Sequence, residues 1–192
     1  MAITVYDILK ILQVLSLLLI TSSAFSQNFD AFIIGGFNVS QIEGDKLSGY
    51  NKAGIIFGAA TRFKLKEPWS FQQEIVYYQR GSRATDKELN ADNFSFKRLD
   101  YIDILLLGKY MINEDWSIIG GLGIGAFIHV KSDVVENKSV YKPDLFGTLG
   151  AEYALSPKWV AAVKGQYSLI TISKIQDAYN NTLNFSLRYR LF

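Results

Sequence analysis

The chain has 192 residues, enough for one domain, and a formal net charge of +2 without a dense Lys/Arg run, a balance that excludes nucleic acid as an expected partner. It has no cysteine, which excludes disulfides, thiolate metal sites, a Cys nucleophile and a lipid anchor on Cys. Fifteen Gly and three Pro in a chain that is 49% hydrophobic and 14% aromatic exclude a disordered polymer.

Residues 1–26 read as a cleavable signal peptide. Lys10 precedes the apolar run Ile11–Ile20, and Ala24 and Ser26 are small residues at the −3 and −1 positions of a cut before Gln27. The run is too short to cross ~30 Å of hydrocarbon as a helix, which takes about 20 residues. Residues 27–192 are then one expected domain. Nothing in it is a spanning helix: Ile102–Ile112 is broken by Asp103 and Lys109, and Ser117–Val130 holds Gly120, Gly121, Gly123 and Gly125.

Eight alternating segments follow, at about 30–39, 50–65, 69–80, 97–112, 115–130, 142–155, 158–170 and 181–192. Three connections are tight turns, at Lys66-Glu67-Pro68, Asn113-Glu114 and Ser156-Pro157. The other four, at about 40–49, 81–96, 131–141 and 171–180, are longer and polar. Strict alternation of short and long connections predicts an all-β, eight-stranded, antiparallel up-and-down barrel with every turn at one rim and every loop at the other.

Period two assigns the faces. In the third segment Trp69, Phe71, Gln73, Ile75 and Tyr77 oppose Ser70, Gln72, Glu74, Val76, Tyr78 and Arg80. In the sixth, Leu145, Gly147, Leu149, Ala151 and Tyr153 oppose Asp144, Phe146, Thr148, Gly150 and Glu152. The mid-strand charges Arg62, Glu74, Asp103, Lys109, Glu152, Lys164 and Arg188 all fall on the mixed face, and both signs are present. A charge is costly against lipid but can pair inside a small barrel whose lumen is filled by side chains. The small residues that share this face do not suit a solvated outer wall, so the expected barrel is transmembrane, with these charges as a lumenal polar network and the lumen packed.

Trp69, Trp116 and Trp159 each directly follow a short turn, and Tyr77, Tyr167 and Phe127 lie near the opposite strand ends. Such rings favour the membrane interface. In the last segment Leu183, Phe185, Leu187, Tyr189 and Leu191 alternate with Asn184, Ser186, Arg188 and Arg190. Phe192 follows Leu191 and is one position out of phase, which makes Tyr189 the expected interface aromatic of this strand.

The stretches Gly35-Gly36-Phe37-Asn38-Val39-Ser40-Gln41, Gly49-Tyr50-Asn51-Lys52-Ala53-Gly54 and Trp69 through Ser82, with Leu99 through Tyr110, resemble the PorT-type outer-membrane β-barrel family of Bacteroidota. Where that family usually has an acidic residue followed by Pro in its fourth strand, Ile104-Leu105 stands here. The resemblance covers essentially all of residues 27–192. It implies a barrel in the outer membrane of a Gram-negative bacterium and says little of activity, since a few members serve secretion machinery and most are known only as barrels.

No catalytic, metal or cofactor site is expected. His129 is the lone histidine; it shares parity with Gly121, Gly123, Gly125 and Phe127 and is expected in the lumen, away from a lipid-side Ser/His/acid group with Ser132, Asp133 or Glu136. Glu74, Asp103 and Glu152 share their lining with cations and read as ion-paired rather than as an acid/base pair. Arg83, Lys87, Lys131 and Lys138 near the loop rim are placed to contact lipopolysaccharide phosphates or to be solvated loop charges. The expected function is a structural or interaction barrel presenting four surface loops, with both termini periplasmic and partners among outer-membrane lipid, lipopolysaccharide and, during biogenesis, the barrel-assembly machinery. The rival readings are a secretion or envelope-assembly component, a lipid-modifying enzyme using His129, and a soluble ligand-binding barrel.

Overall fold

Alternation over a dozen residues suits a strand buried on one face only, and eight such strands form in chain order: β1 (Phe29–Glu43), β2 (Lys52–Lys64), β3 (Trp69–Arg83), β4 (Phe96–Met111), β5 (Trp116–Ser132), β6 (Asp144–Ala154), β7 (Trp159–Ser168) and β8 (Tyr179–Arg190). In the computed structural model each pairs antiparallel with its neighbour and β8 returns to β1, closing the barrel. The structure describes residues 29–45, 49–84, 96–132, 141–174 and 177–191. The expected signal peptide, Lys87, Lys138, Asp133, Glu136 and Phe192 lie outside the described residues.

The three turns occupy residues 65–68, 112–115 and 155–158, and all lie at one rim. Each is closed by main-chain bonds onto a tryptophan: Leu65 N donates to Trp69 O at 3.1 Å, Ile112 N to Trp116 O at 2.9 Å and Leu155 N to Trp159 O at 2.9 Å. Asn113 Oδ1 accepts from the Trp116 N–H at 2.7 Å, and Ser156 Oγ from that of Trp159 at 3.2 Å, the local side-chain bonding that makes Asn and Ser turn residues.

The wall is not of uniform height. β3, β4 and β5 run for 15, 16 and 17 residues, whereas β6 and β7 run for 11 and 10. A spanning strand needs about 9–11 residues, so one side of the barrel stands well above the belt at the loop end. This is where the strands outrun the sequence expectation: β3 continues to Arg83 rather than Arg80, and β1 to Glu43 rather than Val39.

The outside is apolar. Phe57, Ile75, Ile104, Leu122, Ile124, Leu149, Leu187 and other large hydrophobics are exposed around the wall. The inside combines an aliphatic and aromatic cluster (Phe32, Ile34, Ile56, Val76, Leu105, Leu107, Ile119, Phe146) with buried charge. Inward glycines make room for it: a Cβ on Gly123 would collide with the Phe146 ring, and one on Gly125 would lie 2.6 Å from Asp103 Oδ1. Among the described residues no helix is long and apolar enough to cross a membrane; the strands do the crossing.

Candidate functional site

The lumen carries two layers of charge. In the layer nearer the turns, Glu74 accepts from Lys164 Nζ at 2.5 Å and Arg188 Nη2 at 2.7 Å, and Glu152 accepts from Arg62 Nη2 at 2.8 Å, Lys109 Nζ at 2.7 Å and Arg188 Nη1. Gln72 joins the two carboxylates, donating to Glu74 Oε1 at 2.8 Å and accepting from Arg62. Six of the seven residues expected in a lumenal network meet here, drawn from β2, β3, β4, β6, β7 and β8.

Asp103, the seventh, belongs to a second layer nearer the loops. There Arg80 pairs with both Asp103 and Asp144, the latter at 3.2 Å, while its guanidinium lies over the rings of Tyr78, Tyr101 and Phe146 at 4.9, 5.3 and 4.8 Å. Asn180 donates to Asp144 at 2.8 Å, and Gln166 accepts from Arg80 at 3.0 Å. Arg80 and Asp144 are absent from the set expected from sequence, although their parity is right; both sit at the ends of their alternating runs, outside the mid-strand positions.

Above these layers the loop end is plugged. Ile172 and Ala178, from the connection between β7 and β8, pack with Ile42, Leu99 and Tyr101, and Phe127, Val130 and Tyr141 close on them. Main-chain bonds from Lys142 N to Ile172 O (2.9 Å) and from Ile172 N to Ala178 O (2.8 Å) hold the connection down. The turn end is open: a cavity of about 640 Å³ lies there, bordered by Asp30, Arg62, Lys109, Glu152 and Arg190. The lumen is therefore packed through its middle and its loop end, but not at its turn end as the expectation of a packed lumen required, because the side chains that reach the turn rim (Ser70, Ser117, Ala154) are small.

Two aromatic sets decorate the outer wall. At the turn end Trp69 packs on Tyr110, Trp116 on Tyr153 and Trp159 on Tyr189, each pair being cross-strand neighbours with ring centroids 4.8–4.9 Å apart. At the loop end Tyr167 stacks with Tyr179 and donates to Glu43 at 2.6 Å, and Tyr50 donates to Asn181 at 2.6 Å. Phe127, grouped with the interface aromatics by its place near a strand end but with Gly123 and Gly125 by parity, follows its parity and turns inward against Tyr101 and Tyr141.

His129 corrects a second expectation. A bulge pairs Asp100 with His129 but Tyr101 with Phe127, leaving Ile128 extra, so the parity that held through Gly125 and Phe127 flips. His129 is exposed on the outer wall, whereas Ser132 pairs with inward Lys97. The two lie on opposite faces of β5, so no Ser/His pair forms. Next to His129 along the tall side, Gly81 of β3, Arg98 of β4 and Lys131 of β5 share one row, with Arg83 a step higher. Asp100 fixes Arg98 through two bonds of 2.8 Å. Arg98 thus joins Arg83 and Lys131 in a cationic strip just beyond Tyr77 and Ile102, where the apolar belt ends. Among the described residues no cluster of His, Asp and Glu suited to a metal ion is present.

Solved structures with the same architecture include Ail, the attachment invasion locus protein of Yersinia pestis, at 18% identity with 85% of this chain and 99% of that chain covered and a TM-score of 0.53. Neisserial surface protein A matches at 10% identity, 83% and 96% coverage and a TM-score of 0.59. Ail in complex with the heparin analogue sucrose octasulfate matches at 19% identity, 86% and 100% coverage and a TM-score of 0.50. No curated protein matches the sequence. The family described as outer membrane protein beta-barrel domain matches residues 12–190. The chain, an eight-stranded transmembrane barrel by its inverted wall, belongs to that outer membrane protein beta-barrel domain family.

Proposed function

We propose that this barrel is a non-catalytic structural and interaction protein of the Gram-negative outer membrane, of the PorT type, which presents its four loops at the cell surface and grips lipopolysaccharide with the wall beneath them. In this reading residues 1–26 are removed on export, the barrel-assembly machinery inserts residues 27–192, and both termini and all three turns face the periplasm. Support comes from the asymmetry of the two rims: four-residue turns against connections of eight or more residues is the pattern of membrane barrels with short periplasmic turns.

The observation that carries the lipid contact is the cationic strip Arg83, Arg98 and Lys131 on the raised β3–β5 wall. Strand geometry puts it roughly 10 Å beyond Tyr77, at headgroup height above the belt. Guanidinium and ammonium groups at that height suit the phosphates of an outer-leaflet lipid. One barrel of this fold, Ail, is solved with a polyanion, sucrose octasulfate.

The test is to extract the barrel from outer membranes in mild detergent and measure the lipid A retained per barrel by mass spectrometry. An Arg83→Gln/Arg98→Gln/Lys131→Gln variant should retain several-fold less while keeping its heat-modifiable gel mobility. Equal retention would discard the lipopolysaccharide contact. Recovery of the protein in the soluble periplasmic fraction would discard the whole reading.

A further inference from the structure

The turn-end cavity has a charge imbalance that the barrel itself does not settle. Its half of the lumen buries three carboxylates, Glu74, Glu152 and Asp30, against four cations: Glu74 is shared by Lys164 and Arg188, and Glu152 by Arg62, Lys109 and Arg188, while Lys64 and Arg190, 3.7 and 3.9 Å from Asp30, lie at the solvent edge. The loop-side layer has the opposite balance, one Arg80 between Asp103 and Asp144. Glu67, Glu114 and Asp115 also border the cavity, but they sit exposed on the turns, where solvent and salt screen them, and among the described residues they form no ion pair with the floor. An excess of buried positive charge is costly unless an anion accompanies it.

The floor also has spare donors. Lys109 gives one of its three N–H bonds to Glu152. Arg62 spends Nε and Nη2 on Gln72 and Glu152, which leaves Nη1 without an acceptor among the described residues. Beside them Asp30, 6% exposed, borders the same cavity, and its Oδ2 has no hydrogen-bond partner. A buried oxygen without a partner next to unspent cationic donors fits a ligand that carries an anionic group with a hydroxyl or ammonium donor close by.

We propose that the turn-end cavity is a binding site for a small solute bearing a carboxylate or phosphate, held by Arg62 and Lys109, with a neighbouring donor taken by Asp30. Its compartment, the periplasm, rests on the orientation proposed above; the site does not, since it lies at the rim opposite the loops and the lipopolysaccharide strip.

The experiment uses residues 27–192 folded in zwitterionic detergent and titrated with inorganic phosphate and, separately, with acetate at fixed ionic strength. Backbone amide shifts are read at Ser70 and Ser117 near the cavity and at Arg98 and His129 as distant controls. Saturable shifts confined to the turn end, weakened about tenfold in Lys109→Gln and unchanged in Arg98→Gln, are expected. A response to phosphate alone assigns a phosphate ligand, and one to acetate alone a carboxylate. Heat-modifiable mobility checks that Lys109→Gln is folded; if it is not, Arg190→Gln at the more exposed edge should weaken the response about threefold. No saturable shift with either anion overturns the site, as do shifts that neither Lys109→Gln nor Arg190→Gln reduces. The lipid A measurement reads the opposite rim, so it stands or falls separately.

Discussion

Arg188 on β8 reaches across the lumen to Glu74 on β3, donating from Nη2 to Oε1 at 2.7 Å, while its Nη1 pairs with Glu152 on β6. Both partners are fully buried, so the guanidinium joins three walls of the barrel through its middle. Removing it leaves Glu74 with Lys164 alone and Glu152 with Arg62 and Lys109, strips a charge-assisted hydrogen bond from each carboxylate and opens a gap in the buried network, a loss of about 3 kcal/mol. Arg188→Ala should therefore lower unfolding free energy by roughly that amount in urea titrations of the barrel in lipid vesicles. Arg188→Lys, which keeps the charge but loses the fork, should recover only part of it. A change below about 1 kcal/mol in the Ala variant would show that the remaining lysines and arginine re-pair without it.

Glycine offers a test with its own control. Gly123 faces inward, where a Cβ would collide with the Phe146 ring, whereas at Gly165 on the outer wall the nearest atom to such a Cβ is 3.8 Å away. Gly123→Ala must displace Phe146, with an overpacking cost of about 1–3 kcal/mol. Gly165→Ala meets no obstacle and removes the entropic penalty of a strand glycine, so it should be neutral or slightly stabilising. Urea midpoints of the two variants check the ranking; equal destabilisation would mean the two faces are not packed as described.

The inversion of the wall is tested at Leu149, which is 68% exposed in the middle of the apolar belt. Leu149→Arg should cost about 2–4 kcal/mol in vesicles if that face meets hydrocarbon. Leu155, also exposed but on the turn after β6, should accept arginine with a change of about 0–1 kcal/mol. Were both substitutions harmless, the exposed belt would be meeting water or a partner and not lipid.

These faces are legible in the sequence because a strand repeats every second residue, so parity carries from one end to the other without adjustable parameters. Glu74, Glu152, Lys164 and Arg188 fall inside for that reason alone. The same rigidity explains the failures. One inserted residue, Ile128, reverses every assignment beyond it, and His129 moves from lumen to outer wall. Arg80 and Asp144 have the right parity but stand at the ends of their alternating runs, and nothing local shows that pairing with β4 carries β3 on past Arg80 or that Asp144 opens β6 opposite Gly125 of β5. Ile172 is an apolar residue in a polar connection; that it plugs the mouth depends on the loop folding over Leu99 and Tyr101, a contact with no periodic signal. The turn-end cavity is a property of closure, formed only when all eight strands bring their ends together.

The outer wall at the turn rim gives the last prediction. Trp159 and Tyr189 are direct cross-strand partners on β7 and β8, with ring centroids 4.9 Å apart and planes at 58°. Lys158 Nζ lies 6.0 Å from the Tyr189 ring centre. Two equivalent pairs, Trp69 with Tyr110 and Trp116 with Tyr153, sit at the same level around the rim. An aromatic pair is worth about 0.5–1.5 kcal/mol beyond its buried area, and an interfacial ring adds anchoring to the headgroup layer. If the rings act as a pair, Trp159→Ala, Tyr189→Ala and the double variant should show a coupling energy of about 0.5–1.5 kcal/mol in vesicle unfolding. Trp159→Ala combined with Tyr110→Ala, which belongs to another pair, should be additive. Coupling in that second combination as well would mean that the girdle acts as one collective belt, with the lipid and not the ring contact setting its energy.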